Sequence, residues 1–139
     1  MKRSAAREDT FKLLYSLEVQ KENNIEEQTD LYFENENIID ENTKKFIKSI
    51  VLGIEENLSS IENSIATNLK KDWKLDRISK VDLVLLKLAV YEILYTDVPY
   101  KVATNEAVEL SKKYGDETSP NFINGILASI IKESGKAND

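Results

Sequence analysis

Residues 81–95, VDLVLLKLAVYEILY, are apolar at every position except Asp82, Lys87 and Glu92. Such a run reads as a helix that is apolar nearly all round. A helix of that kind is stable only where other elements cover it on every side, so it belongs at the centre of the fold. At about 100° per residue the three charges fall on different sides of the helix, which supports neither a polar face nor a catalytic carboxylate pair. "SKVD" (79–82) offers a cap for its start, Ser79 with Asp82 three residues on.

The covering elements are also helical in pattern. Leu13, Leu14 and Leu17, extended by Ala6 and Thr10, make an apolar stripe in a first helix over about 4–22. Residues 23–40 are acidic and asparagine-rich; they read as loops around one short helix that packs Leu31 and Phe33. Ile47, Ile50, Val51, Ile54 and Leu58 form a clear stripe from 41 onward, with Asp40 or Asn42 as its cap. Ser59 with Glu62 is a capping-box candidate that restarts a helix burying Ile61, Ile65 and Leu69. "KKDWKLDR" (70–77) breaks the period and reads as a connection pinned to the core by Trp73 and Leu75. Pro99 suits the first turn of a helix that buries Ala103, Ala107, Leu110 and Tyr114 and ends at Gly115 as a left-handed residue. Thr118 or Ser119 caps a last helix that has Pro120 in its first turn and runs to about Ser134. The fold expected is an all-α bundle of six or seven helices.

Composition narrows the chemistry. The chain has neither cysteine nor histidine, so thiolate sites, disulfides and every Ser-His-Asp or Cys-His triad are excluded. No phosphate-binding glycine loop or metal-ligand spacing is present, and no cofactor or metal is expected. The N-terminus lacks the apolar stretch of a signal peptide, and no apolar run reaches membrane-spanning length, which reads as a cytoplasmic protein. The net charge of −6 argues against nucleic-acid binding by the whole surface. The distribution is uneven, however. Residues 1–12 hold Lys2, Arg3, Arg7 and Lys12 against Glu8 and Asp9, whereas residues 18–42 carry nine acids and one lysine.

On the first helix Arg3, Arg7, Phe11 and Tyr15 recur four residues apart, a spacing that puts neighbours on one face. Two cations leading into two aromatics can meet a phosphate backbone and stack a base. The same residues also read as the edge of the core flanked by solvated arginines. "SPNFINGIL" (119–127) raises the matching question at the other end of the chain. Its helix start exposes N–H groups that attract phosphate, Asn121 offers an amide and Phe122 a ring face, with core packing as the alternative for Phe122. Gly125 reads as permitting close helix approach, and Asn124 as bonding locally.

The stretch from Tyr91 to Leu127, preceded by W-x-L-x-R-I at Trp73 to Ile78, resembles the NusB family of bacterial transcription antitermination factors. The opening "AR…FKLLYSLE" is similar to that family's first helix. The resemblance implies two three-helix groups and an extra helix, here about 4–71 and 72–134 of a single domain spanning 1–139, without enzymatic activity. It implies a heterodimer with NusE, a small-subunit ribosomal protein. That heterodimer would bind boxA-type RNA in nascent ribosomal RNA leaders, join an antitermination complex on RNA polymerase and serve rRNA maturation. On this reading Lys2, Arg3, Arg7, Tyr15, Asn121 and Phe122 form one RNA surface across the two chain ends. Leu75, Arg77, Asp82 and Leu86 form the NusE surface, with simple helix capping as the alternative for Asp82.

The family often opens with a denser arginine segment than Lys2, Arg3 and Arg7. Three or four phosphate contacts give a salt slope of only roughly −2 to −3, so weak, salt-sensitive binding by the isolated chain is expected, with specificity from the partner. A related helical domain precedes the catalytic part of an rRNA cytosine methyltransferase family, but a chain ending at Asp139 leaves no room for a cofactor-binding α/β domain. A homodimer that hides its RNA face is a further alternative.

Overall fold

The structure, a computed structural model, describes residues 2–21 and 24–136. Among these residues it is all-α, with seven helices: α1 (Arg3–Gln20), α2 (Ile25–Asn35), α3 (Glu41–Glu56), α4 (Leu58–Ala66), α5 (Lys80–Tyr95), α6 (Tyr100–Tyr114) and α7 (Ser119–Ser134). A 3₁₀ turn at Leu75–Arg77 precedes α5. The expected fold class is therefore observed; the expected end of the first helix, at residue 22, lies outside the described residues. No described helix is long and apolar enough to cross a membrane.

The run at 81–95 is the centre, as its composition demands. Helix α5 packs against α1, α3, α4, α6 and α7, and Leu85, Leu86 and Val90 are wholly buried. Each of its three charges is buried, and two of them have a counter-charge. Lys87 Nζ lies 3.0 Å from Glu18 Oε1 on α1 and 3.3 Å from Glu62 Oε2 on α4. Glu92 is met by Arg7 of α1. Asp82 lies at the start of the helix, where its backbone N–H donates to Ser79 Oγ at 3.1 Å. A smaller core annex joins α1, α2 and α3 through Leu13, Phe33, Ile47 and Val51.

The ends of the helices depart from expectation in instructive ways. Asp40 caps α3 by accepting from the Thr43 N–H at 2.9 Å, as the pattern suggested. Ser59 caps nothing, because α4 restarts after Asn57 alone and Ser59 is already helical. Gly115 is extended rather than left-handed (φ −94°); it is needed because a Cβ there would stand 2.5 Å from Ser119 Oγ. The start of α7 is capped by neither Thr118 nor Ser119 but by Asp116, whose Oδ1 accepts from the N–H groups of both. Helix α2 is longer than foreseen and buries Phe33, while Leu31 is exposed. Gly125 has open space where its Cβ would be, so it serves no close helix approach.

Gly53 is a second glycine that packing requires. A Cβ on it would lie 2.1 Å from the Tyr91 hydroxyl, whose ring stacks on Tyr95. Gly53→Ala is expected to destabilise by about 1–2 kcal/mol, overpacking outweighing the gain in helix propensity. In a Tyr91→Ala background the sign should reverse to a gain of about 0.5–1 kcal/mol, which a double-mutant cycle in urea would show.

Candidate nucleic-acid interface

The cationic start of α1 opens onto a groove of about 880 Å³ between α1, α3, the end of α5 and the start of α6. Lys2 and Arg3 stand exposed at its mouth. The Arg3 guanidinium lies 4.3 Å from the centre of the Phe46 ring on α3, a cation–π contact that holds the side chain over the groove while leaving its N–H groups to solvent. Tyr91, Val98 and Val102 supply apolar wall, and Ser4 Oγ donates to Glu106 Oε1 at 2.5 Å across from α1 to α6.

Arg7, one turn further on, has a different place from the one expected of it. It is 5 % exposed, and its Nε donates to both carboxylate oxygens of Glu92 at 2.9 Å, with Nη1 3.6 Å from Glu106. Glu92 sits in the apolar α5 and is itself buried. Burial pushes its carboxyl above the ordinary range, and the charge and hydrogen bond of Arg7 pull it back. A cation so engaged has no free donor face for a phosphate. The first half of the expected RNA surface is thus Lys2 and Arg3, with Arg7 as the anchor beneath them.

Nor do the four residues of the α1 row stay in line. A step of four residues turns an ideal helix by about 40°, so Arg3 and Tyr15 stand about 120° apart around the axis. Arg3 faces α3, while Phe11 packs at 5.0 Å on Tyr114 of α6, with Tyr15 half-exposed 6.0 Å beyond it. The adjacent acids are latched: Glu8 accepts from Lys113 Nζ at 2.6 Å and from the Tyr114 hydroxyl, and Asp9 accepts from Tyr32 at 2.8 Å. Hydrogen bonds from Lys113 and Tyr114 hold the Glu8 carboxyl below its usual range.

Asn121 and Phe122 line a second hollow, which shares no residue with the first. Asn121 is exposed; Phe122 is half-buried against the core and turns its ring to Trp73, with centroids 6.4 Å apart. Trp73 is 51 % exposed, not pinned inside as its sequence context suggested. The two ends of the chain therefore contribute two patches rather than one continuous row.

Of the residues expected to meet a protein partner, Arg77 is exposed and Leu75 half-buried in the 3₁₀ turn. Asp82 is buried in the first turn of α5. Its Oδ1 finds no donor among the described residues, and burial raises its carboxyl above the usual range, the nearby Ser119 and Ser79 hydroxyls opposing. Leu86, one turn inward on α5, is 0 % exposed and contributes packing, not surface. Sequence reasoning missed Phe46, although its place four residues before Ile50 on the same helix face was a signal for it.

The chain matches the NusB family over residues 4–132. It is 44 % identical over 139 residues to the transcription antitermination protein NusB of Clostridium novyi (strain NT), covering 95 % of this chain and 99 % of that protein. Identity to the NusB protein of Acetivibrio thermocellus is 46 %, over 95 % of this chain and 90 % of that one. Among solved structures, T. maritima NusB is similar with a TM-score of 0.89 at 36 % identity, covering 100 % of this chain and 99 % of that one. A chain from the crystal structure of antitermination factors NusB and NusE in complex with dsRNA has a TM-score of 0.86 at 28 % identity, over 94 % and 96 % of the two chains.

Removing Arg7 would leave Glu92 as a buried, unpaired charge. Arg7→Ala is expected to cost about 3–5 kcal/mol near neutral pH. Without Arg7 the Glu92 carboxyl rises further above the ordinary 4.5. Between those values the folded state holds the extra proton, so the variant loses stability as pH rises through the window and recovers it as pH falls. Urea unfolding at about pH 7 and about pH 5 should show a smaller deficit relative to the parent at the lower pH.

Proposed function

Because this chain belongs to the NusB family, we propose that it is a transcription antitermination factor that pairs with NusE and binds boxA-type RNA of nascent rRNA transcripts. In this reading it is a non-enzymatic, cytoplasmic member of an RNA polymerase antitermination complex, and it serves rRNA maturation. The observation that carries the reading is the start of α1, where Lys2 and an Arg3 side chain held on Phe46 stand free above a wide groove on an otherwise acidic chain.

The related NusB–NusE crystal structure holds double-stranded RNA. For this chain a single strand fits better, because exposed or half-exposed rings at Tyr15, Trp73 and Phe122 can stack only on bases that are free of a partner strand. Asn121 and Phe122 extend the RNA surface at the other chain end. The start of α5 is the proposed NusE face. There Arg77 is exposed and Leu75 half-buried in the turn that leads into the helix, a polar and an apolar group side by side as a partner surface needs. With only Lys2 and Arg3 free at the start of α1, NusE would complete the groove and tighten binding.

Fluorescence anisotropy of a boxA-type single strand and a scrambled control, with and without NusE, tests this. Selective, tight binding in the mixture is the expected result; equal, weak binding to both RNAs in every condition would refute it. Lys2→Ala/Arg3→Ala should weaken binding and reduce the salt slope by about 1.4, at about 0.7 per phosphate, while the lost Arg3–Phe46 contact lowers the melting temperature by no more than about 4 °C.

A further inference from the structure

Residues 70–80, KKDWKLDRISK, carry Lys70, Lys71, Lys74, Arg77 and Lys80 against Asp72 and Asp76, on a chain whose net charge is −6. All five cations are exposed, and none makes a salt bridge among the described residues. Like charges left together at a surface repel one another, so the cluster costs free energy until a polyanion covers it. Its net of +3 is matched by residues 42–52, but there Lys44 and Lys48 are paired with Glu41 and Asp30.

In the middle of these cations stands the chain's one tryptophan, half its surface in solvent. Its backbone is held. The Trp73 N–H donates to the Lys70 carbonyl at 3.0 Å, closing a turn in which Asp72 takes a left-handed conformation at φ 73°. Non-glycine residues adopt that conformation seldom, aspartate more readily than most. The turn aims the indole at Phe122, and the two rings form one wall of a hollow of about 810 Å³. Lys70, Glu117 and Gly125 line the same hollow, and Asn121 adds an amide. A half-exposed ring on a held backbone, an adjacent ring, an amide and unpaired lysines are the parts of a platform that stacks a base and holds the phosphates on either side.

We infer that Trp73, with Lys70, Lys71 and Lys74, forms a second contact for single-stranded RNA, separate from the groove at the start of α1. There one base stacks on the Trp73 ring beside Phe122 and the lysines take the flanking phosphates. The inference rests on the proposed RNA-binding role and adds to it a residue set and a second point on the path of the strand.

Because Trp73 is the chain's only indole, its emission in the unmodified full chain, read with NusE already saturating, reports the arrival of RNA at this patch. Titration with a single-stranded boxA-type RNA, in the presence of NusE, should quench Trp73 as the anisotropy of the labelled RNA rises. NusE tryptophans, if any, are replaced by phenylalanine. Trp73→Ala should weaken binding by about 5- to 150-fold, the equivalent of ~1–3 kcal/mol for one stacked base, and Trp73→Phe should restore most of it. Lys70→Ala/Lys71→Ala/Lys74→Ala should lower the salt slope by about 2.

RNA that binds through Lys2 and Arg3 with Trp73 emission and the Trp73→Phe affinity unmoved, and with no loss in the lysine variant, overturns this contact and leaves the RNA-binding role standing. The same holds if the Trp73 and lysine variants lose NusE rather than RNA, because the face is then a protein interface. Absence of any RNA binding by the parent overturns both. Should Trp73→Ala fail to melt like the parent, quenching of the parent and the lysine variant still decide the matter.

Discussion

The contact on which the rest depends is the ion pair between Arg7 and Glu92, buried at 2.9 Å between the first helix and the central one. A helix as apolar as α5 needs cover on all sides, and each charge within it needs its own counter-group or hydrogen bonds. Helix α1 supplies two of these, Arg7 for Glu92 and Glu18 for Lys87, three turns apart. Two such points on one rod set both its rotation and its position along α5. With α1 so placed, Arg3 emerges one turn before Arg7 and comes to rest on Phe46 at the edge of the groove. The buried arginine thus determines where the free one stands.

Charge is segregated by the same placement. Asp9, latched by Tyr32 of α2, and the acids of α2 itself lie along one side of α1, while the start of α1 and the connection before α5 carry cations without partners. A polyanion approaching at moderate ionic strength is repelled from the first side and drawn to the others, over distances of about 8–10 Å. Aromatic rings stand beside each cationic patch, Phe46 and Tyr91 at one and Trp73 and Phe122 at the other. Affinity from charge and orientation from stacking can therefore act at the same two places.

Much of this was legible in the sequence. The all-round apolar run announced α5 and its central position, and periodic stripes announced α1, α3, α6 and α7. The spacing of Ser79 and Asp82 announced a cap that the structure contains. What escaped was set by tertiary contact. Nothing local marks Arg7 as buried and Arg3 as exposed, because the difference is Glu92, eighty-five residues away. Trp73 looked like a core anchor by residue type, but a turn with a left-handed Asp72 holds it outward. Leu86 looked available for a partner although its neighbours bury it completely. Gly115 and Gly125 invited the usual readings of left-handed cap and close approach, and the packing around them reversed both. Resemblance to a family carried the functional expectation further than any motif, since the chemistry is distributed over separate surface side chains.

The most direct measurement of where RNA lies is photo-crosslinking of a 4-thiouridine-substituted boxA-type strand to the heterodimer with NusE, mapped by mass spectrometry. Adducts in the peptides that hold Lys2 and Arg3, and in those that hold Trp73 and Phe122, are the expected result. Adducts confined to the acidic helix α2, with the cationic patches unmarked, would contradict the assignment of the RNA face.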